Sequence, residues 1–274
     1  MSREACDSSR PESEHVLAHG ALQVQGQLSG ASNATLLCSI VDSVTDATMS
    51  CVYKPRRGER PLWDFPSGTL GRREVSAYLL SELAGWHLVP TTVWREEGPF
   101  GPGMCQAWVD DDMAHPAVTV VSPGDVPDTW RVVLEAQTYD GTDVVLIHED
   151  SMELKRMAVF DFLANNADRK GGHILRLASG AIRGIDHGLT FHIEDKMRTV
   201  LWGWAGETLD PELATQVDSL WDSLHADTVS AASLRGHLTV REFDRLVQRV
   251  SILRETCCFP EPSEYEPSLP WPPM

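Results

Sequence analysis

A chain of 274 residues is long enough to bury a substantial core, as one large domain or as two lobes sharing a cleft. Its 40 Asp and Glu against 23 Lys and Arg give a formal net charge of −17, which argues against nucleic-acid binding by phosphate neutralisation. No apolar run is long enough to cross a bilayer, and the opening MSREACDSSRPESEH lacks the apolar stretch of a signal peptide, so the expected location is cytoplasmic, with no transmembrane segment. The six cysteines form no C-x-x-C pair, which fits reduced thiols. Cys38 and Cys51 read as two buried thiols that could face each other across a hairpin.

Residues 1–15 are polar, carry Pro11 and show no period, which predicts a disordered tail with structure beginning near Val16. From Ala21 to Tyr53 short apolar runs alternate with small polar turns, the outline of a β-meander. The turn holding Ser29, Gly30, Ser32 and Asn33 offers small side chains and exposed N–H groups, suited to an ordinary hairpin or to covering phosphates. Lys54 ends a strand that Pro55 stops. Arg56 to Leu70 is a long connection with Trp63 and Phe65 as candidate aromatic anchors. Gly71 to Gly85 carries Val75, Tyr78, Leu79 and Leu83 at helical spacing, with Glu74 at the apolar edge. Taken alone, Glu74 is a first-turn acid that favours the helix dipole. Val93–Trp94 and Met104–Val109 read as strands around the turn from Glu97 to Gly103. Residues 113–150 are broken by Pro116, Pro123 and Pro127, with short strands or a turn of helix at Val118–Val121 and Val144–Ile147.

A helix from Ser151 to Ala167, apolar at Met152, Met157, Val159, Phe160 and Leu163, delivers Asp168 into a polar turn. Two short strands joined at Ser179-Gly180 then fold Asp186 back toward Asp168. One carboxylate would orient or deprotonate a hydroxyl while the other holds a divalent metal on a triphosphate, the division of labour that phosphoryl transfer requires. His173, by itself an ordinary structural histidine, would bind a divalent ion through one ring nitrogen or hydrogen-bond Asp168; nitrogen coordination suits Mn²⁺ better than Mg²⁺. Three helical segments follow at 211–223, 228–238 and 239–257, with Thr239 and Glu242 spaced as a capping box, and Trp202 and Trp204 read as core. The proline-rich end, residues 259–274, reads as extended or disordered.

Asp168-Arg169, His173 five residues after the aspartate, a β-turn and then Asp186-His187-Gly188 together resemble the catalytic and metal-binding loops of the phosphoinositide 3- and 4-kinase superfamily and its bacterial HipA-like relatives. That family has Asn where this chain has His173. Arg73 to Leu80, followed by Leu88-Val89-Pro90, resembles the αC helix and next strand of the same groups. The resemblance spans about residues 20–255. It implies an α+β, bilobal protein-kinase-like fold, with a small β-rich N-lobe at 16–110 and a mostly helical C-lobe at 111–258.

It further implies ATP with Mg²⁺ or Mn²⁺ as cofactors. Asp168 would orient the acceptor hydroxyl, Lys170 would neutralise the transferred phosphoryl charge, and Asp186 with His173 would hold the metal. Lys54, steadied by Glu74, would grip the phosphates beneath Ser29, Gly30 and Ser32. Backbone groups of Gln106, Ala107 and Trp108 would pair with adenine, with Met104 behind the base. Arg169 would pair with phosphate or with the acidic loop that follows. The acceptor, a protein side chain, a lipid headgroup or a small molecule, is not identified; the segment Leu189 to Leu201 is too thinly basic to favour a phosphoinositide. A nucleotide-binding pseudokinase and a kinase-fold nucleotidyltransferase are the alternatives.

Overall fold

In the computed structural model, residues 10–28, 33–42 and 48–274 are described. Ser29, Gly30 and Ser32, expected over nucleotide phosphates, lie outside them. The chain opens with helix α1 (Arg10–His19), strands β1 (Ala21–Gln27), β2 (Leu36–Val41) and β3 (Thr48–Pro55), helix α2 (Leu70–Leu83), and strands β4 (Thr92–Arg95) and β5 (Gly103–Ala107). These strands form an antiparallel sheet in the order β1-β2-β3-β5-β4. The strict alternation of buried and half-buried residues along β2 is the period of a one-sided strand. Its inward face packs Cys38 and Ile40 on Val16 and Leu17 of α1.

Helix α1 corrects the expectation of disorder through residue 15, because the helix begins at Arg10. Its sequence carries almost no amphipathic period; Val16 and Leu17, buried against the sheet, supply the packing that holds it. The buried guanidinium of Arg95 donates to the carbonyls of Leu17 (2.6 Å) and Gly20 (2.9 Å), satisfying acceptors left open at the helix end. Cys38 lies opposite Cys51 across β2 and β3, and both are free, buried thiols. The Cys105 sulfur pushes the Cys51 thiol up to about 12, with burial adding to it, so these are inert core residues.

Residues 113–150 hold β6 (Val118–Val121), β7 (Trp130–Gln137) and β8 (Asp143–Glu149), an antiparallel sheet in the order β6-β8-β7. β6 and β8 match the two short runs read from sequence. β7 does not alternate cleanly, since a bulge between Val132 and Leu134 breaks its register. Helix α3 (Met152–Ala164) starts at Ser151, whose hydroxyl accepts the Leu154 amide, and ends at Asn165 in the left-handed region (φ 50°). The hairpin β9 (Ile174–Arg176) and β10 (Ile182–Gly184) follows, then helices α4 (Pro211–His225), α5 (Val229–His237) and α6 (Val240–Thr256), the last opened by the expected capping box.

The larger core gathers Leu80 of α2, Phe160 of α3, Leu220 of α4 and Val250 of α6 with the fully buried Trp204. Trp63 is 92% exposed and anchors nothing in that core; Phe65, 6% exposed beneath the Arg73 guanidinium, holds the connection instead. The proline-rich end forms no helix or strand, yet it is docked. The Ser268 carbonyl accepts from the Thr199 amide (3.1 Å) and the Trp202 indole (2.9 Å), and the Pro273 carbonyl accepts from the Gly171 amide (2.8 Å). Among the described residues no helix is long and apolar enough to cross a membrane.

Candidate active site

The turn after α3 is built by its two asparagines. Asn165 donates its side-chain amide to the carbonyls of His192 (2.9 Å) and Glu194 (2.6 Å), and Asn166 accepts the Asp168 amide (3.0 Å) while donating to Asp161 (3.0 Å). The Asp168 carboxylate is thereby left free of capping duty. Its nearest cation is Lys170, with Nζ 3.2 Å from Oδ2. Burial raises the Asp168 pKa, and Lys170 opposes the shift.

Arg169 sits elsewhere than expected. It is fully buried and faces neither solvent phosphate nor an acidic loop; its guanidinium pairs with Asp161 (2.9 Å), itself fully buried. It also donates to the carbonyls of His173 and Ile185 (3.3 Å each) and to Nε2 of His187 (2.7 Å). One guanidinium thus ties α3 to the loops carrying Asp168 and Asp186. Five donors in a rigid fork make Arg, and not Lys, able to do this. Burial, reinforced by the Arg169 guanidinium that donates to it, holds the His187 pKa well below the usual value, and the ring stays neutral.

Asp186 adopts φ 59°, a strained conformation for a non-glycine residue, held by the Gly184 amide on the Leu88 carbonyl (2.7 Å) and the Ile185 amide on the His173 carbonyl (3.0 Å). That turn aims its half-exposed carboxylate back at β3, where Lys54 Nζ lies 2.9 Å from Oδ1. The same ammonium is 2.8 Å from Oε1 of Glu74, on the buried face of α2. Lys54 holds the Asp186 pKa well below the usual carboxylate range, against the effect of burial. Burial disfavours the Lys54 charge, but Glu74 and Asp186 outweigh it and the ammonium pKa is raised. Burial pushes Glu74 up to about 7 despite Lys54. The two shifts pull in opposite senses for the pair, and the 2.8 Å contact between complementary groups makes it an ion pair.

His173 donates Nδ1–H to the Asp168 carbonyl (2.9 Å), leaving the Nε2 lone pair 3.5 Å from Oδ2 of Asp186. Burial lowers its pKa against the pull of Asp186, so both facing atoms present lone pairs. Two lone-pair donors of this kind fit a divalent cation that takes its other oxygens from a bound phosphate. Among the described residues no group of three or more His, Cys, Asp and Glu side chains could hold a metal without such help.

Two cavities meet at Lys54 and Asp186. One, about 510 Å³, is a largely apolar slot walled by Leu28, Val52, Trp108, Val109, Met113, Leu175 and Ile185, with Asn33, Gln106, Asp110 and Asp111 among its polar lining. The other, about 260 Å³, holds Asp168, Glu74, Asn33, Arg60 and Gly188. Gln106, Ala107 and Trp108 all line the slot, but the Ala107 amide donates to Thr91 (2.8 Å) and the Trp108 amide to Ser50 (3.0 Å). Those two N–H groups are already engaged by the sheet; the next residue, Val109, is the first past β5 free of that ladder. Met104, in contrast, does not line the slot, being fully buried where α2 crosses the sheet at Gly71. Sequence reasoning missed Arg60, Leu175 and Ile185. The last two follow the alternation of the β9–β10 hairpin, whereas Arg60 carries no local signal.

The fold is kinase-like, a mixed α and β arrangement built on antiparallel sheets. A structure of hydra Fam20 with sugar superposes with a TM-score of 0.51 at 14% identity, covering 92% of this chain and 89% of that one. The Helicobacter pylori proinflammatory kinase CtkA gives a TM-score of 0.45 at 11% identity, over 89% and 94%. No family model matches the sequence. Over 272 residues the chain is 45% identical to Protein Rv2133c of Mycobacterium tuberculosis (strain ATCC 25618 / H37Rv), covering 96% of each, and it belongs to the family of that protein.

Proposed function

We propose that this protein is an ATP-dependent phosphotransferase of the phosphoinositide 3-/4-kinase-like type, acting on a hydroxyl acceptor. The observation that carries the reading is Lys54 Nζ held between Glu74 (2.8 Å) and Asp186 (2.9 Å), in a cavity that Asp168 also lines. An ammonium fixed by two carboxylates at the junction of an apolar slot and an acidic cavity suits a nucleotide whose base lies in the first and whose phosphates enter the second. Asp168 is the group placed to orient the acceptor hydroxyl, and Lys170 beside it to offset charge on the transferred group. Asp186 and the Nε2 atom of His173 are the side chains that would hold Mg²⁺ or Mn²⁺, whose chemistry there is to neutralise phosphate charge.

In the segment after Gly188, Lys196 is committed to Asp64 (2.9 Å) and Glu194 (3.7 Å), so it is not a free cation for an inositol phosphate. The acceptor is therefore proposed only as a hydroxyl compound. Incubation with γ-labelled and α-labelled ATP, with Mg²⁺ and Mn²⁺ in parallel, tests the assignment. Transfer of γ label that is abolished in Asp168→Asn and Asp186→Asn is the expected result. Incorporation of α label would make the chain a nucleotidyltransferase, and ATP binding without any transfer would make it a pseudokinase.

A further inference from the structure

Given that kinase reading, we infer that Arg60, from the connection between β3 and α2, is a phosphate-binding residue for the nucleotide triphosphate. Among the described residues two cations line the cavity containing Asp168 and Asp186, namely Lys54 and Arg60. Lys54 is committed to Glu74 and Asp186. Arg60 makes no ion pair or side-chain hydrogen bond among the described residues, and its exposed side chain borders the cavity. A triphosphate entering here meets the carboxylates of Glu74, Asp168 and Asp186, so a further cation is needed to offset them.

The backbone that carries Arg60 is held on both sides. Its own amide donates to Oδ1 of Asn33 (2.8 Å), and the Ala34 amide donates to the Gly58 carbonyl (3.1 Å), lacing the segment to the connection between β1 and β2. On the other side, the Glu59 carboxylate accepts from the amides of Leu70 (3.2 Å) and Gly71 (2.9 Å) at the start of α2. Pro61 follows and restrains Arg60 to an extended backbone. The Glu59 contact has a second consequence. A helix N-terminus beside a nucleotide site would ordinarily attract phosphate, but here a carboxylate of the chain already fills it. The guanidinium next to it is the remaining donor, with a planar fork that matches phosphate oxygens.

The test is calorimetric titration of the full chain with ATP, and separately with adenosine, both in Mg²⁺, for wild type, Arg60→Ala, Arg60→Gln and Lys54→Met. Arg60→Ala and Arg60→Gln are expected to weaken ATP binding roughly tenfold or more, the loss of a charge-assisted hydrogen bond, and to leave adenosine within twofold. Unchanged ATP affinity in both Arg60 variants, with Lys54→Met impaired, overturns the role of Arg60 and leaves the kinase reading standing. Equal losses for ATP and adenosine also overturn it, since a phosphate contact cannot affect a ligand without phosphate. Absence of ATP binding by the wild type removes the kinase reading and this inference with it.

Discussion

Replacing Arg169 with Met tests the hub on which the candidate site depends. The substitution keeps an apolar stem but leaves the fully buried Asp161 carboxylate with only the Asn166 amide (3.0 Å) and the Thr199 hydroxyl (2.9 Å) as partners. The carbonyls of His173 and Ile185 and Nε2 of His187 each lose a donor as well. Removing one member of a buried ion pair costs about 3–5 kcal/mol, because the surviving charge is uncompensated. Against the roughly 5–15 kcal/mol that stabilises a typical domain, the variant retains a marginal fold at best. Adding Asp161→Asn eliminates the stranded charge, so the double variant should recover about 2 kcal/mol relative to the sum of the singles. Urea denaturation followed by tryptophan fluorescence reads both quantities. A loss below about 1 kcal/mol for Arg169→Met, or strict additivity in the double variant, would refute the hub.

Three further outcomes follow from the same geometry. His148 is buried, donates Nδ1–H to the Glu149 carbonyl (2.8 Å) and accepts the Gly203 amide at Nε2 (3.1 Å), and burial pushes its pKa down to about 4. The unfolded chain, titrating near 6.5, binds the extra proton, so stability is lost as pH falls from about 6.5 to about 4, by up to roughly 3 kcal/mol. His148→Gln should flatten that part of the melting-temperature profile against pH; an unchanged slope counts against the assignment. At Gly103 an added Cβ would lie 2.5 Å from the Lys54 carbonyl oxygen and 2.7 Å from the Pro55 Cα, both backbone atoms. Gly103→Ala should therefore cost roughly 1–3 kcal/mol, measured by denaturant melts, and a neutral result would contradict the β3–β5 packing. Deleting residues 262–274 removes three hydrogen bonds, in which the Ser268 and Pro273 carbonyls accept from Thr199, Trp202 and Gly171, and should destabilise the chain by about 2–4 kcal/mol in a thermal melt. A melting point within a degree of wild type would restore the solvated tail read from sequence.

Several features were legible in the sequence because their signals are local. The β-meander from Ala21 to Tyr53, the helix leading to Asp168, the hairpin at Ser179-Gly180 and the Thr239–Glu242 capping box each depend on residues within a few positions of one another. Lys54, Glu74 and Asp186 were also identifiable by type and order, and they do converge within 2.9 Å. The hydrogen bonding of residues 104–109 was less legible. Strand pairing had already committed the Ala107 and Trp108 amides, a fact that no inspection of residues 104–109 alone exposes.

By itself the amino-acid order determined the elements and the two acidic loops, since turn chemistry and apolar period act along the chain. The tertiary structure alone decided which polar groups were left for function. Arg169, adjacent to Asp168, was drawn into the core because Asp161 lay eight residues back on α3 with a charge that burial made costly to leave unpaired. Arg60, with no local signal, faces the cavity because Asn33 and the start of α2 hold its backbone there. Compensating buried charge and satisfying buried amides are long-range requirements, met by partners that only the folded chain brings within reach.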